Sequence, residues 1–464
     1  MGLRLVNVDR DTPMLLPPDL RDWVPANHIV HLILDAVHRL PQERFHFNWR
    51  GSGSEQYPPE TMLALLIYCY CTGRFSSRQI EEATYSDVVV RYICGNAHPD
   101  HDTVCTYRRQ NRALFEEAFV EVLLMAKETK CIKKVGTVSV DGTKIKANAS
   151  KHSAVSYKRA GEQIEFLRAE VAKLVAKAEG EDSKPLEDGL SIPEELERRE
   201  DRIKRLEEAR RIIAQRYESE RTEKQAKYEA LEANREAQRK AGKNPRGRKP
   251  KPPSDEPPGN KQYNFTDPES HIMKEDGGFV QAFNAQAVVD TESRFIIGER
   301  VTNEPNDKKE LTADVKSIVP LCGNPDAVLA DTGYYSEDGI KEVERDGGPT
   351  AYVAVAKSDH GYRVENLEAK DDPPAAPENA SGTDKMRQRL ATKAGKELYK
   401  LRKQTVEPVF GIIKEVLGFR RFSMRGREKA ETEWSLVCMA YNIRRLFVLQ
   451  TNCALNTSSE AVRC

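Results

Sequence analysis

Apolar positions recur at helical spacing through the first part of the chain: Ile29, Leu32, Ile33 and Ala36, then Met62, Leu65, Leu66 and Cys69. Thr103 to Lys127 reads as a further long helix pair, with Arg108, Arg109 and Arg112 on a polar face. Residues 1–130 therefore predict a compact helical domain whose basic faces suit DNA or are simply solvated. At Val135 the period drops to two: Val135, Thr137, Ser139 and Asp141 share one face of a strand, and Gly136, Val138 and Val140 the other. Asp141-Gly142 reads as the bend that closes this strand.

Residues 151–262 change character. Glu162 to Lys177 and Pro193 to Lys240 are rich in Glu, Lys, Arg, Ala and Leu, and Leu196, Ile203, Leu206, Ile212, Ile213 and Tyr217 form an apolar stripe. This predicts a helical hairpin or short coiled coil around a polar loop, Glu179 to Leu190. It ends in KNPRGRKPKPPSDEPPGN, too rich in Pro and Gly to fold by itself.

Strand patterns return after residue 276. GGFVQAFNAQAVVD and SRFIIGERV predict a hairpin around Asp290-Thr291-Glu292, followed by a helix from Asp307 to Val319. Ala327 to Ala330 is a short buried strand ending at Asp331, and Thr350 to Ala356 another; Lys385 to Leu417 and Glu431 to Leu449 are helices. Residues 451–464 are expected to be a disordered tail. Without the insert, the order is that of a ribonuclease-H-like α/β fold: three antiparallel strands, then parallel additions through helical crossovers. Pattern alone admits other topologies. The domains are then 1–130, 131–150 plus 263–450, and the insertion 151–262.

A length of 464 residues fits two to four domains at roughly 100–200 residues each. No apolar run reaches the roughly 18 residues of a membrane helix, and the N-terminus lacks the apolar core of a secretory signal. Nine cysteines without C-x-x-C pairs argue against a disulfide scaffold, so the cytoplasm is the expected compartment, with association to the nucleoid when bound to DNA. The 73 Lys+Arg balance 73 Asp+Glu, but the charge is segregated. Between Asp384 and Lys429 there are 14 Lys/Arg against 5 Asp/Glu.

Asp141 and Asp331 each follow an apolar strand, where open α/β sheets build their sites. Glu407 lies in the basic segment YKLRKQTVEPVFGIIK. Carboxylates brought together by a fold suit two Mg²⁺ ions, which clamp the attacking and leaving oxygens of phosphoryl transfer. Turn or cap roles are the competing reading of both aspartates.

Taken in order, VSVDGTKIKANAS, TDPESHIMK…GGFVQAFNAQAVVD, LADTGYYSEDGI and LYKLRKQTVEPVFGIIKEVLGFRRFSMRG resemble the DDE transposases of bacterial insertion sequences. YPPETMLALLIYCYCTGRFSSRQIEE and PDHDTVCTYRR are similar to that family's N-terminal domain. The resemblance is to the branch with a Tyr-Arg-Glu-Lys signature and a long insert after the first catalytic strand. It implies a ribonuclease-H-like catalytic domain in which Asp141, Asp331 and Glu407 hold Mg²⁺, with Mn²⁺ as a substitute. It also implies cleavage of the element's terminal inverted repeats, joining of the 3′-hydroxyl ends to target DNA, and a homo-oligomeric synaptic complex.

Tyr399, Arg402, Glu407 and Lys414 match the signature, with four residues rather than the usual three between Arg402 and Glu407. On an ideal helix Arg402 lies about 140° from Glu407, Lys403 about 40° and Lys414 about 20°. Lys403 is thus an alternative basic partner, and Pro408 predicts a kink at Glu407. Lys400, Arg402, Lys403, Lys414, Arg420, Arg421, Arg425 and Arg427 are candidates for phosphate contact.

Pro245-Arg246-Gly247-Arg248-Lys249-Pro250 resembles an AT-hook, whose arginines follow a narrow minor groove, although Lys249 separates Arg248 from the proline. A solvated linker is the alternative. Cys94, His98, His101 and Cys105 are too compactly spaced for a familiar zinc finger and read as a turn with a buried cysteine. The insert suits either an assembly device or a solvated spur. Two further functions remain open at this level: a metal-dependent DNA endonuclease without strand transfer, and a non-catalytic DNA-binding protein derived from a transposase. A coiled-coil adaptor would leave the strand-ending acids without a role.

Overall fold

The computed structural model describes residues 19–46, 56–180, 192–242, 244–245, 248–275, 277–355, 372–375, 377 and 380–461. Among the described residues, six α-helices come first: α1 (Ile29–His38), α2 (Pro59–Cys71), α3 (Ser77–Ser86), α4 (Val88–Ile93), α5 (His101–Gln110) and α6 (Arg112–Glu128). Helix α2 starts on Pro59, and every residue from Met62 to Cys71 is buried. A helix apolar on all sides belongs inside a core. It ends at Gly73, whose φ of +78° places it in the left-handed region. A Cβ there would also meet the Leu417 carbonyl oxygen at 2.7 Å. Ser76 and Gln79 form a capping box on α3, and Asp87 and Asp100 cap α4 and α5.

The main sheet contains β1 (Thr137–Lys146), β4 (His271–Glu275), β5 (Gly278–Asp290), β6 (Ile296–Thr302), β7 (Ala327–Ala330) and β8 (Thr350–Val353). Strand β1 pairs antiparallel with β5, from Val138↔Asp290 to Lys146↔Ala282, and parallel with β7, from Thr137↔Ala327 to Ser139↔Leu329. Strand β7 continues parallel to β8, while β4 and β6 both pair antiparallel with β5. The result is a mixed sheet with β1 and β5 at its centre, compatible with the ribonuclease-H-like expectation. Residues Gln281 to Asp290 of β5 are all buried, as befits a strand covered on both faces.

Asp141 does not close its strand. Strand β1 runs on through Gly142 to Lys146 because β5 supplies a continuous partner, so a locally turn-prone dipeptide stays extended. The helix expected at Asp307–Val319 is a 3-10 turn, Asp307–Lys309, followed by α9 (Leu311–Lys316). Helix α10 (Glu337–Val343) joins β7 to β8.

Among the described residues, three α-helices follow β8: α11 (Gly382–Ala391), α12 (Lys393–Gly411) and α13 (Arg427–Ala461). Helix α12 passes through Pro408, so Glu407 is helical rather than at a break, and a π-helical turn follows at Ile412–Val416. Helix α13 extends to Ala461, so the expected tail is helical up to that residue; prolonging an existing helix needs no new nucleus. It packs on α2, α6 and β6. The Asn442 amide donates to and accepts from the Ile296 backbone at 2.8 and 2.9 Å, and Trp434 Nε1 donates to the Gln286 carbonyl at 3.0 Å.

The N-terminal helices and the sheet share one hydrophobic core. Arg108, expected on a polar face, is buried in that junction. It donates to the Tyr70 hydroxyl at 2.9 Å and the Phe75 carbonyl at 2.8 Å, and Tyr70 donates to Glu433 at 3.2 Å. Glu433 in turn accepts from Ser423 and Met424, fixing the basic loop before α13.

The insert is a pair of packed helices, α7 (Tyr157–Gly180) and α8 (Ile192–Lys240), standing on a small sheet of β2 (Ala154–Ser156) and β3 (Gln262–Asn264). Val155, Ala160, Ile164, Leu206 and Ala209 form a separate small core. Arg202 and Arg205 lie over the Phe265 ring, and Arg210 over Tyr157. Among the described residues no helix is long and apolar enough to cross a membrane.

Candidate active site

The parallel pairing of β1 and β7 reaches Ser139↔Leu329, and two residues further along each chain come Asp141 and Asp331. The two acids thus stand side by side where β7 ends and β1 continues against β5. Asp141 Oδ1 accepts the Gly142 N–H at 2.9 Å. Asp331 caps the 3-10 turn Thr332–Tyr334 and accepts the Gly333 N–H at 2.7 Å. Asp331 thus fills the cap role that the competing reading gave it.

Helix α12 delivers the third acid. Arg402 Nη1 lies 3.4 Å from Asp141 Oδ2, and its Nη2 lies 3.2 Å from Glu407 Oε1. The guanidinium joins the two acids, and it does so from the position that helical angles disfavoured. Five residues of separation are spanned by the length of the arginine side chain. Lys403 is exposed and makes no ion pair among the described residues.

Burial pushes the Asp141 carboxyl up to about 7, and the like charge of Asp331 adds to the shift. Arg402 and the Gly142 N–H offset part of it, and Asp307 contributes a further repulsion. Tyr399 donates to the Ala330 carbonyl at 3.3 Å, beside Asp331. Burial raises its phenol above the usual range.

The donor set is chemically suited to a hard divalent ion: adjacent carboxylates whose mutual repulsion a cation relieves. Among the described residues no group of three His, Cys, Asp or Glu side chains is arranged to hold one. The Arg402 guanidinium lies between Asp141 and Glu407.

The remaining basic residues are spread away from the acids. Lys414 Nζ donates to the Lys144 carbonyl at 3.2 Å, beside β1. Arg420 pairs with Glu415 at 2.5 Å. Arg421 lines a cleft with Lys146, Lys151 and Arg425, and the exposed Phe279 stands at its wall. Lys146 and Lys151, unremarked in the sequence, become basic neighbours through the β1 bridge to Arg421. Arg248 is exposed in the linker, and Arg246 lies outside the described residues.

His98 hydrogen-bonds the Thr84 hydroxyl and stacks on Tyr85, and His101 pairs with Glu81 at 2.8 Å. These histidines are engaged without Cys94 or Cys105. The sequence pattern did not single out Asp307, Asn284 and Gln286, which meet on the other side of Gly142. The alternation Phe283-Asn284-Ala285-Gln286-Ala287 in a buried strand is the signal that marks the two amides.

Residues 243–443 match the family model of the transposase DDE domain, and residues 18–110 match a model described as a transposase domain (DUF772). Together the matches support a DDE transposase of the insertion-sequence type, a family of DNA-cutting and DNA-joining enzymes. The first match begins at residue 243, in the last part of the insert, so Asp141 stands outside it. No curated protein and no solved structure matches the chain.

Proposed function

We propose that the protein cuts the ends of its own insertion sequence and joins the freed 3′-hydroxyls to target DNA. The observation that carries this reading is the side-by-side placement of Asp141 and Asp331, with Glu407 tied to Asp141 through Arg402. Asp141, Asp331 and Glu407 would hold two Mg²⁺, or Mn²⁺. When bound, such ions activate a hydroxyl nucleophile and stabilise the leaving oxygen of an in-line displacement.

The chain's own residues supply the rest. The sheet fixes the two aspartates, and the Tyr399 hydroxyl braces the end of β7 behind Asp331. Arg402 pairs with Asp141 and Glu407, and its guanidinium would be available to phosphate if a metal shared those carboxylates. Arg421, Arg425, Lys146 and Lys151 line a basic cleft for the DNA backbone. Lys403, Lys414, Arg420 and the linker arginines Arg246 and Arg248 are further candidates for DNA contact. The catalytic domain would be 131–150 plus 263–450, preceded by a helical DNA-binding domain and interrupted by the insertion 151–262. Two DNA ends call for at least two copies of the chain.

The test is cleavage of end-containing duplexes with Mg²⁺, comparing the wild type with Asp141→Asn, followed by joining of a recessed 3′-hydroxyl to a second duplex. Metal-dependent cutting without joining would make the protein an endonuclease.

A further inference from the structure

Asp307 opens the 3-10 turn after β6, and its carboxylate is gripped from the sheet. Asn284 and Gln286, two residues apart on β5 and so on one face, donate to Asp307 Oδ1 at 2.6 and 2.8 Å. Both amides are 1% exposed. Gln286 cannot readily turn over, because its amide oxygen takes the hydroxyl of the buried Tyr334. Oδ1 is thus occupied from behind, while Oδ2 has no hydrogen-bond partner among the described residues.

That second oxygen faces the catalytic acids. A Cβ at Gly333 would lie 2.9 Å from Asp331 Oδ1 and 3.5 Å from Asp307 Oδ2, so the two carboxylates border one small space. A Cβ at Gly142, next to Asp141, would lie 2.8 Å from Asp307 Oδ1. Glycine at both positions leaves room for this side chain between the strands that carry the aspartates.

Holding the turn does not require a charge. An asparagine oxygen would accept the same two N–H groups without repelling Asp141 and Asp331. The charge is useful only if a cation shares the space. Mg²⁺ keeps several of its waters when protein-bound, and those waters need acceptors.

We propose that Asp307 is a positioning residue of the metal centre, accepting through Oδ2 hydrogen bonds from the water shell of the divalent ion bound by Asp331. The inference rests on the metal-dependent reading above. Outer acceptors of this kind change metal affinity by about 10- to 100-fold.

The test is Mn²⁺ binding to the full-length, DNA-free protein, followed by electron paramagnetic resonance, with thermal melting of each variant in chelator. Asp307→Asn is expected to weaken Mn²⁺ by about 10- to 100-fold and to melt in chelator no lower than the wild type. Asp307→Glu, which keeps the charge, should recover part of the affinity. Unchanged affinity in Asp307→Asn while Asp331→Asn loses the ion overturns this inference alone. Wild-type affinity in Asp331→Asn as well overturns the metal reading with it. An equal loss in Asp307→Asn and Asp307→Glu, with lower melting in chelator, assigns Asp307 to folding and overturns the proposal.

Discussion

The Arg402 guanidinium stands 3.4 Å from Asp141 Oδ2, although 261 residues separate them in the chain. A fixed cation and a diffusible one would compete for that carboxylate. Arg402→Ala is expected to tighten Mn²⁺ binding to DNA-free protein several-fold, at roughly the 1 kcal/mol scale of one charge-assisted hydrogen bond, while end cleavage falls. Titration of the variant with Mn²⁺ checks this, and weaker binding would mean that Arg402 organises the acids rather than occupying their space.

Asp141→Asn, Asp331→Asn and Glu407→Gln each preserve shape while removing a ligand's charge. Each should lower Mg²⁺-dependent cleavage by on the order of 10³-fold, a few kcal/mol of lost transition-state stabilisation, with end binding retained. Gel-shift and cleavage assays on the same preparations separate the two effects. A variant that cuts normally takes its residue out of the centre.

Arg420 is already paired with Glu415, whereas Arg421 lines the basic cleft. Arg421→Glu should therefore weaken DNA binding more than Arg420→Glu does. It should also flatten the dependence of log K on log salt by about 0.9 for each phosphate that the variant no longer neutralises. Weakening at a single base position, with the salt slope intact, would instead make Arg421 a reader of sequence.

Glu299 on β6 is partly exposed as a residue, but its carboxylate points inward: it accepts a hydrogen bond from the Ser435 hydroxyl, while its buried Oε2 has no partner among the described residues. Burial pushes its carboxyl up to about 8, with only partial compensation from Ser435. The folded protein therefore keeps a proton that the unfolded chain releases above its ordinary carboxylate pKa. Stability should fall as pH rises through that window, by at most about 1.4 kcal/mol per unit from this group. Glu299→Gln should remove the decline, so its advantage over the wild type in urea melts should be larger at about pH 8.5 than at about pH 5.5.

Ser156 and Gln262 face each other across the base of the insert. Joining them through a short Gly-Asn turn should close β2 onto β3 and leave a folded protein that still nicks DNA nonspecifically. Paired-end joining should drop if the insert supports synapsis. Full joining would make it a spur, and a chain that no longer folds would show that it props the sheet. Nicking and joining measured separately on the deletion decide among these.

The strands and the order of the acids were legible because alternation and apolar runs are local properties. Asp331 could be found this way: Ala327 to Ala330 is short, apolar and buried, and the acid follows it. Asp141-Gly142 misled for the same reason, since its local turn preference is overruled by pairing with a strand more than 140 residues away. Arg402 was placed badly by helical angles because those describe where a side chain leaves the axis, not how far it reaches. Arg108 looked solvated because its partners Tyr70 and Glu433 are invisible from neighbouring positions. Asp307 needed the fold outright, because nothing within the turn itself indicates Asn284 and Gln286.

Tyr70 meets Glu433 across 363 residues, and α2, buried on every side, relies on α13 as one of its walls. As the chain leaves the ribosome, α2 must therefore wait, with one wall uncovered, for residues made more than 360 positions later. The N-terminal helices cannot complete their packing until α13 has been made, and products cut short before it carry a sticky, unfinished surface suited to aggregation or proteolysis. A product that lacks α13 would thus be cleared before it could compete with the intact protein.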